Sequence, residues 1–308
     1  MKASFLICGH NSRGDLLERV VAACVAQEGL SEADEILLVD SGSSPALQVP
    51  AASAEGVRLV REEQPGLARA RVCGIRHSTG EMLIFVDDDT VLHPDYLAQG
   101  RRILAERPYL AAIGGQLLPE FEGPLPLPEQ YYRYWLAIRE FGHESWTNRW
   151  EDFAATPIGG GMVVRRAVAD VWAKLCETTP WRMGMGRSGS ALTGGEDRDL
   201  VHTACASGFG VGVFPGLRLT HVFPPHRLKP EFLVKIAEGN AQSDAFLRGM
   251  LNENLQRPSD TIAHQAVSFL RGLRKGRLER AIARAMQRGA KSGWDRVPRD
   301  RAALATYR

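Results

Sequence analysis

Three consecutive carboxylates, Asp87, Asp88 and Asp89, follow an apolar run at residues 82–86. A run of this length with branched and aromatic residues is typical of a buried central strand in a mainly parallel sheet, and ligands of such sheets bind beyond the carboxyl ends of the strands. Carboxylates this close repel one another, and a hard divalent cation that also binds the phosphates of a ligand would relieve the repulsion. The triplet therefore predicts a site for a cation and a phosphate ligand. The alternative is structural, with Asp89 or Thr90 capping the helix that follows.

Polar segments also adjoin other predicted elements. Residues 8–11 (Cys-Gly-His-Asn) and 40–43 (Asp-Ser-Gly-Ser) end the first two predicted strands, and residues 194–197 (Gly-Gly-Glu-Asp) open a predicted helix. One such segment alone is usually a turn, because Asp, Ser and Gly are common turn residues. Their recurrence at the carboxyl edge of one predicted sheet indicates a binding cleft at that edge.

Strand and helix patterns alternate along the first 115 residues, which is the order of a parallel, doubly wound α/β sheet. The predicted strands are 3–8, 35–39, 57–60, 81–86, 110–114, 158–164, 210–214 and 218–222, and the predicted helices are 14–27, 65–77, 94–106, 167–176 and 196–207. After residue 229 the pattern is mostly helical. We therefore predict one domain over residues 1–228 and a helical C-terminal extension over residues 229–308.

The composition narrows the class of protein. With 308 residues, 44% of them hydrophobic, the chain can bury a full core. Its five cysteines are scattered without a CxxC pair, which argues against a disulfide framework or a structural zinc site and favours a reducing cytoplasm. The apolar runs are shorter than the roughly 20 residues of a membrane span, and the N-terminus is read as a first strand rather than a signal peptide. From Arg271 onward, 12 Lys and Arg face three Asp and Glu, so the extension is basic from residue 271.

The order of these motifs resembles the family-two inverting glycosyltransferases, which have the Rossmann-like GT-A fold of nucleotide-diphospho-sugar transferases. The matching segments are 4–12, 39–43 (Val-Asp-Ser-Gly-Ser), 64–71 (Gln-Pro-Gly-Leu-Ala-Arg-Ala-Arg), Gly80-Glu81 before the strand that ends in the DxD motif, and 195–200 (Gly-Glu-Asp-Arg-Asp-Leu). The resemblance covers residues 3 to 227. It implies an α/β fold with a mainly parallel central sheet flanked by helices, a nucleotide-binding half (1–115) and an acceptor and catalytic half (116–228).

Through this resemblance, the acidic triplet is expected to bind a divalent cation that stabilises the leaving nucleotide diphosphate. The expected metal ligands are Asp89, Asp87 and His221, while Asp88 is expected near the sugar or the nucleotide. A histidine ligand slightly favours Mn²⁺ over Mg²⁺. The alternative for His221 is a loop residue with a surface role.

Inversion requires a base for the acceptor hydroxyl, and one carboxylate within hydrogen-bond reach is sufficient. The resemblance assigns this catalytic role to Asp197, with Glu196 supporting the loop or the acceptor. Both residues would also suit the first turn of a helix, where the helix dipole favours acidic side chains. The two roles are compatible for a helix that starts at the cleft.

The nucleotide-sugar is expected to contact several strand ends. The resemblance places Cys8, His10, Asp40 and Ser41 around the base and ribose, Arg69 or Arg71 near the base or diphosphate, Asp87 and Asp88 near the ribose and sugar, and Trp181 on a glycine-rich loop over donor or acceptor. His10 stands where tyrosine is common, and Ser41 replaces a second aspartate. The structural alternatives are a solvated helix position for Arg71, a core position for Trp181, and a packed helix face rather than an acceptor wall for the aromatic cluster 131–135.

The predicted function is inverting, metal-dependent sugar transfer from a nucleotide-diphospho-sugar, by resemblance a UDP-sugar, to a glycan or polyprenyl-linked acceptor in surface polysaccharide or glycolipid assembly. The stretch 270–286 mixes apolar residues with arginines, which predicts a helix at a membrane surface or a basic helix packed on the body. The expected location is cytoplasmic, with possible peripheral attachment at the inner membrane face, and no nucleic-acid partner is predicted. The alternatives are a sugar nucleotidyltransferase, disfavoured by the single glycine in residues 9–13, and an inactive glycan- or nucleic-acid-binding relative.

Overall fold

A computed structural model describes residues 1–51, 55–187, 192–252 and 276–298. The strands within these residues are β1 (Ala3–Gly9), β2 (Glu35–Ser41), β3 (Val57–Glu62), β4 (Met82–Asp87), β5 (Thr90–Leu92), β6 (Leu110–Phe121), β7 (Ser145–Thr147), β8 (Val163–Arg165) and β9 (Gly210–Phe223). The helices are α1 (Gly14–Val25), α2 (Leu67–His77), α3 (Tyr96–Glu106), α4 (Gln130–Trp135), α5 (Arg166–Thr178), α6 (Pro180–Met183), α7 (Glu196–Ala206), α8 (Pro230–Leu251) and α9 (Arg277–Asp295), with a 3₁₀ turn at Pro225–Leu228.

The strands form one sheet in the order β3-β2-β1-β4-β8-β6-β9-β5, with β7 also paired to β9. Strands β3, β2, β1 and β4 are parallel, as are β6 and β9, whereas β8, β5 and β7 pair antiparallel to their neighbours. The apolar run before the aspartates is the central strand β4, as predicted. The α/β fold with a mainly parallel sheet flanked by helices is confirmed.

Alternating side chains of the sheet bury two hydrophobic layers, one on each face. On β1, Phe5 and Ile7 pack in the layer that contains α1 and α3, while Leu6 and Cys8 pack in the layer that contains α2, α5 and α7. This two-residue alternation is the geometry of a strand covered on both faces. The helices thereby hold the sheet so that the ends of β1, β2 and β4 open to one side.

The expected strand at 158–164 is wrong in extent, because only Val163–Arg165 is a strand. The preceding glycines form a turn in which Gly161 has a φ of 77°, a backbone conformation that favours glycine. The expected strands 210–214 and 218–222 are one continuous strand, β9, whose long pairing with β6 shifts register after Gly114.

The capping alternative for the aspartate triplet is also wrong. Helix α3 begins at Tyr96, after Asp95. The Thr90 hydroxyl donates to the backbone carbonyl of Asp87 over 3.0 Å, and Asp89 pairs with residues from β9 and the 3₁₀ turn. The triplet is therefore held by the sheet and its neighbours rather than by a helix end.

The C-terminal extension packs as a helix pair in the part that is described. On α9, Ile282 and Ala285 are buried, and Gly289 and Gly293 lie against the backbone of α8. The basic helix is thus packed on the body, while the predicted apolar positions Leu270 and Leu273 lie outside the described residues. Among the described helices, none has the length and hydropathy needed to cross a bilayer.

Candidate active site

One cavity of about 1480 Å³ lies beyond the carboxyl ends of β1, β2 and β4. It collects ten predicted site residues from distant parts of the chain: Cys8, His10, Ser41, Arg71, Asp87, Asp88, Asp89, Glu196, Asp197 and His221. Residues from α8 and α9 line it as well, so the cavity draws on both sides of the predicted domain boundary at residue 228. That boundary stays a prediction.

Asp89 is the most strongly partnered member of the aspartate triplet. Its Oδ2 atom accepts a hydrogen bond from Nη1 of Arg227 over 2.6 Å and lies 3.5 Å from Nε2 of His221. The antiparallel pairing of Thr90 with His221 brings these side chains together. Burial opposes ionisation of Asp89, but the charges of His221 and Arg227 hold its pKa well below the usual range. Asp89 is therefore a carboxylate, as a metal ligand must be.

The other two aspartates have different surroundings. Burial and the neighbouring Asp89 carboxylate raise the pKa of Asp88 to about 6, although Asp88 accepts a hydrogen bond from the Ser12 hydroxyl. Asp87 contacts Arg71 over 3.3 Å through its Oδ1 atom. Asp88 is therefore easier to protonate than Asp89.

The metal ligand set is incomplete within the protein. Among the described residues, no three His, Cys, Asp or Glu side chains are arranged to hold a metal ion. Asp89 and His221 nevertheless lie together, and the buried Nδ1 atom of His221 has no hydrogen-bond partner. These two side chains fit a divalent cation that takes its remaining ligands from elsewhere, for which phosphate oxygens are well suited.

Arg71 connects the aspartates to the second acidic motif. It is 1% exposed, and its two terminal nitrogens contact Glu196 Oε1 over 3.1 Å and Asp87 Oδ1 over 3.3 Å. Burial disfavours the charged guanidinium, but Glu196 and Asp87 outweigh that cost and raise the pKa of Arg71. Burial also raises the pKa of Glu196 to about 7, against the opposing charge of Arg71. Arg71 is therefore a buried ion-pair residue, and the solvated alternative is wrong.

Asp197 lies in the first turn of α7, and both of its carboxylate oxygens accept hydrogen bonds from backbone N–H groups. Oδ2 accepts from the Gly159 N–H over 3.0 Å, and Oδ1 accepts from the Arg198 N–H over 2.8 Å. Gly159 has no side chain, and this leaves room for Arg71, because a Cβ at this position would collide with the terminal nitrogens of the Arg71 guanidinium. The glycine turn thus supports Arg71 and Asp197 at the same point of the cavity.

Nucleotide-site candidates at the ends of β1 and β2 form a hydrogen-bonded group. Nδ1 of His10 lies 2.6 Å from the Ser41 carbonyl, and the Ser41 hydroxyl accepts from the Gly66 N–H over 3.0 Å. Burial raises the pKa of Cys8 to about 12, so this residue presents a neutral thiol. The exposed imidazole of His10 leaves a ring face that a nucleobase can stack on.

Three predicted residues do not line the cavity in the described part of the chain: Asp40, Arg69 and Trp181. Asp40 accepts from the Ser43 and Leu47 N–H groups and pairs with Arg61, so it holds its own loop. Trp181 packs against Phe246 with ring centroids 5.6 Å apart. Arg69 is partly buried on α2. Their predicted roles stay predictions, with no cavity contact to support them.

Sequence reasoning missed three contributors to the site. Arg227 pairs with Asp89. Arg139 lies close enough to Asp197 for that charge to raise its pKa, which burial lowers to about 10 overall. Ser243 on α8 accepts from the Gly194 N–H over 2.9 Å and so supports the loop before α7. None of the three has a sequence pattern that marks it, because each contact joins distant segments.

The mainly parallel sheet with its acidic strand end at the cavity is the arrangement of the GT-A fold. The chain belongs to glycosyl transferase family 2, whose sequence model matches residues 4–171. This membership confirms the resemblance to the family-two glycosyltransferases and disfavours the nucleotidyltransferase alternative.

Two curated relatives are also glycosyltransferases. The chain is 34% identical over 101 residues to the human polypeptide N-acetylgalactosaminyltransferase 15, covering 31% of this chain and 16% of the relative. It is 26% identical over 143 residues to the glucosyl-dolichyl phosphate glucuronosyltransferase of Haloferax volcanii, covering 44% of each chain. The chain therefore matches less than half the length of either relative.

Arg71→Met is expected to lower the free energy of unfolding by about 3 kcal/mol at pH 8, because it leaves the Glu196 carboxylate buried without its partner. The loss should be smaller at pH 5, where Glu196, with a pKa of about 7, is protonated in the folded state. Urea unfolding at the two pH values measures both losses. Arg69→Met, on the same helix, is the matched control and should change stability little.

The Glu196→Gln variant tests the same ion pair from the other side. Since folding raises the pKa of Glu196 from 4.5 to about 7, the folded state binds its proton more tightly, and the wild-type free energy of unfolding falls as the pH rises through that interval. Glu196→Gln should remove this decline, and the double variant should recover most of the stability that Arg71→Met loses. Equal losses at pH 5 and pH 8 would contradict the role assigned to the pair.

Proposed function

We propose that this chain is an inverting, metal-dependent glycosyltransferase that uses a nucleotide-diphospho-sugar, with UDP as the expected nucleotide. The observation that carries the proposal is the link made by Arg71: one of its nitrogens contacts Asp87 in the aspartate triplet, and the other contacts Glu196, next to Asp197. A candidate cation site and a candidate base therefore line one cavity in a fixed relation.

In this proposal each side chain has a distinct role. Asp197 accepts the proton of the acceptor hydroxyl, while Glu196 and Arg71 position the Asp197 side chain from the buried side. Asp89 and His221 would hold Mn²⁺ or Mg²⁺ together with phosphate oxygens of the donor, and Asp87 and Asp88 would lie beside the ribose and the sugar. The bound cation would supply Lewis-acid stabilisation of the leaving diphosphate. Cys8, His10 and Ser41 border the nucleotide.

For the acceptor, we propose a chemical class rather than a particular molecule. The human relative is named for transfer to a polypeptide and the archaeal relative for a dolichyl phosphate-linked glucose. The outward arginines of α9, among them Arg277 and Arg284, support contact with an anionic membrane surface, where a lipid-linked glycan would be presented. We therefore propose a glycan or lipid-linked acceptor and a location at the cytoplasmic face of a membrane, in surface polysaccharide or glycolipid assembly.

Calorimetric titration with UDP, GDP, dTDP and CDP, each with and without Mn²⁺, tests the donor site. We expect tight binding of UDP only with Mn²⁺, and at least a tenfold weaker binding in Asp89→Ala. Asp170→Ala replaces an aspartate on α5, outside the cavity, and should bind UDP like the wild type. Nucleotide binding that is independent of both Mn²⁺ and Asp89 would overturn the metal assignment, and no binding of any nucleotide would overturn the donor site.

A further inference from the structure

A group of exposed aromatic side chains lies at the cavity on the side of α4. Tyr134 is 72% exposed and Phe153 is 55% exposed, and both line the cavity together with Trp135. We call Tyr134, Trp135 and Phe153 the aromatic rim. Scattered exposed apolar residues are ordinary on protein surfaces, whereas exposed rings gathered at the wall of a catalytic cavity indicate a binding surface.

The aromatic rim is held in place by specific contacts. Tyr134 and Trp135 meet edge to face with ring centroids 4.7 Å apart. The guanidinium of Arg139 lies 5.2 Å from the centroid of the Phe153 ring and donates a hydrogen bond to the Phe153 carbonyl over 2.9 Å. Ala137, between α4 and Arg139, has a φ of 56°, a conformation that is uncommon outside glycine. The rings are therefore presented by a constrained segment rather than by a loose loop.

The rim is connected to the candidate base through the backbone. Arg139 also donates to the Thr156 carbonyl over 2.6 Å, and three residues further along the Gly159 N–H donates to Asp197. The charge of Asp197 acts on Arg139 as well. A molecule that rests on the rim would thus be positioned relative to Asp197, which in the proposed reaction receives the proton of the acceptor hydroxyl.

We propose that the aromatic rim is an acceptor subsite that binds the face of a sugar ring, so that the acceptor of this enzyme ends in a saccharide. This inference rests on the proposed function. A pyranose has an apolar face that packs on an aromatic ring and hydroxyls that need polar partners. The rim has polar groups beside it, because Arg133, which precedes Tyr134 on α4, also lines the cavity, and its Nη1 atom lies 3.0 Å from Oε1 of Glu140. An aliphatic lipid chain on the rim would remove water from this ion pair and would offer no hydrogen bonds in exchange. Such desolvation of charged groups is unfavourable.

Saturation-transfer NMR on the enzyme loaded with UDP and Mn²⁺ tests the subsite. The probes are the methyl glycosides of glucose, galactose, mannose and N-acetylglucosamine, with geranyl phosphate as the lipid probe. We expect saturation to reach the ring protons of at least one glycoside. Its dissociation constant should rise about fivefold in Phe153→Leu and in Tyr134→Leu, since an aromatic contact contributes about 1 kcal/mol. Tyr109→Leu, at an exposed tyrosine outside the cavity, should leave it unchanged.

Several results would overturn the assignment. These are the absence of glycoside binding to the wild type, equal glycoside affinities in wild type and rim variants, or binding of geranyl phosphate alone with dependence on the rim. The dissociation constant for UDP, measured on the same samples, reports separately on the proposed function and on correct folding. It should be the same in all three variants, and a wild type that fails to bind UDP would remove the donor site and the acceptor subsite together.

Discussion

Asp197→Asn is expected to lower kcat for sugar transfer by about 10²–10⁴-fold, the usual contribution of a general base. Asparagine has the same shape as aspartate and keeps one oxygen that can accept a hydrogen bond from the Gly159 N–H. In the wild type this N–H donates to Oδ2 of Asp197 over 3.0 Å. It cannot take a proton from the acceptor hydroxyl. The loss should therefore fall on kcat, while the dissociation constant for UDP with Mn²⁺ stays within about twofold of the wild type.

The comparison of Asp197→Asn with Glu196→Gln separates the two acidic residues of the motif. Glu196 is buried against Arg71, so we expect its neutral variant to lose only about tenfold in kcat through less exact positioning. Asp170→Asn on α5 is the control and should be fully active. If Asp197→Asn retained more than a tenth of the wild-type kcat, another group would have to be the base. The anomeric configuration of the product, read by ¹H NMR, tests inversion in the same assay.

The parts of the site that sequence analysis located are those that depend on local pattern. The apolar run and its aspartates, eight consecutive residues, predict both β4 and the point where it ends. The glycine and acidic residues at 195–197 likewise predict the start of helix α7. The expected contact of Trp181 with donor or acceptor does not depend on local pattern, because a glycine-rich loop does not determine which way a neighbouring ring packs. The structure turns that ring towards Phe246 on α8.

The parts that sequence analysis missed depend on contacts between distant segments. Arg71 is buried only because the glycine turn at Gly159 leaves room for its guanidinium, 88 positions further along the chain. No periodicity on α2 distinguishes such an arginine from a solvated one. His221 likewise reaches Asp89 through the register between β5 and β9, and Arg227 reaches it from the 3₁₀ turn after β9, neither of which a single sequence specifies.

Arg227→Gln is expected to have opposite effects on metal and on nucleotide. Without nucleotide, Nη1 of Arg227 donates to the same Asp89 oxygen that lies 3.5 Å from His221, so its positive charge competes with a cation for that carboxylate. A hydrogen bond between charged groups contributes about 1.5–3 kcal/mol. Removing it should strengthen Mn²⁺ binding to the nucleotide-free protein by about tenfold or more.

With nucleotide present, the same variant should bind UDP more weakly. A cation bound at Asp89 would release the guanidinium of Arg227 from that carboxylate, and the guanidinium would then be available to the phosphate oxygens of the nucleotide, which arginine binds strongly. We expect the dissociation constant for UDP with saturating Mn²⁺ to rise about tenfold. Electron paramagnetic resonance of free Mn²⁺ measures the first effect, and calorimetry measures the second.

Arg218→Gln is the matched control, since Arg218 is on β9 but pairs with Asp95 outside the cavity. It should change neither constant. Weaker or unchanged Mn²⁺ binding in Arg227→Gln would contradict competition at Asp89 and make Arg227 a plain support of the carboxylate. Stronger Mn²⁺ binding together with weaker UDP binding is the result expected for an arginine that leaves Asp89 and binds the diphosphate instead. Loss of folding would weaken the binding of both ligands.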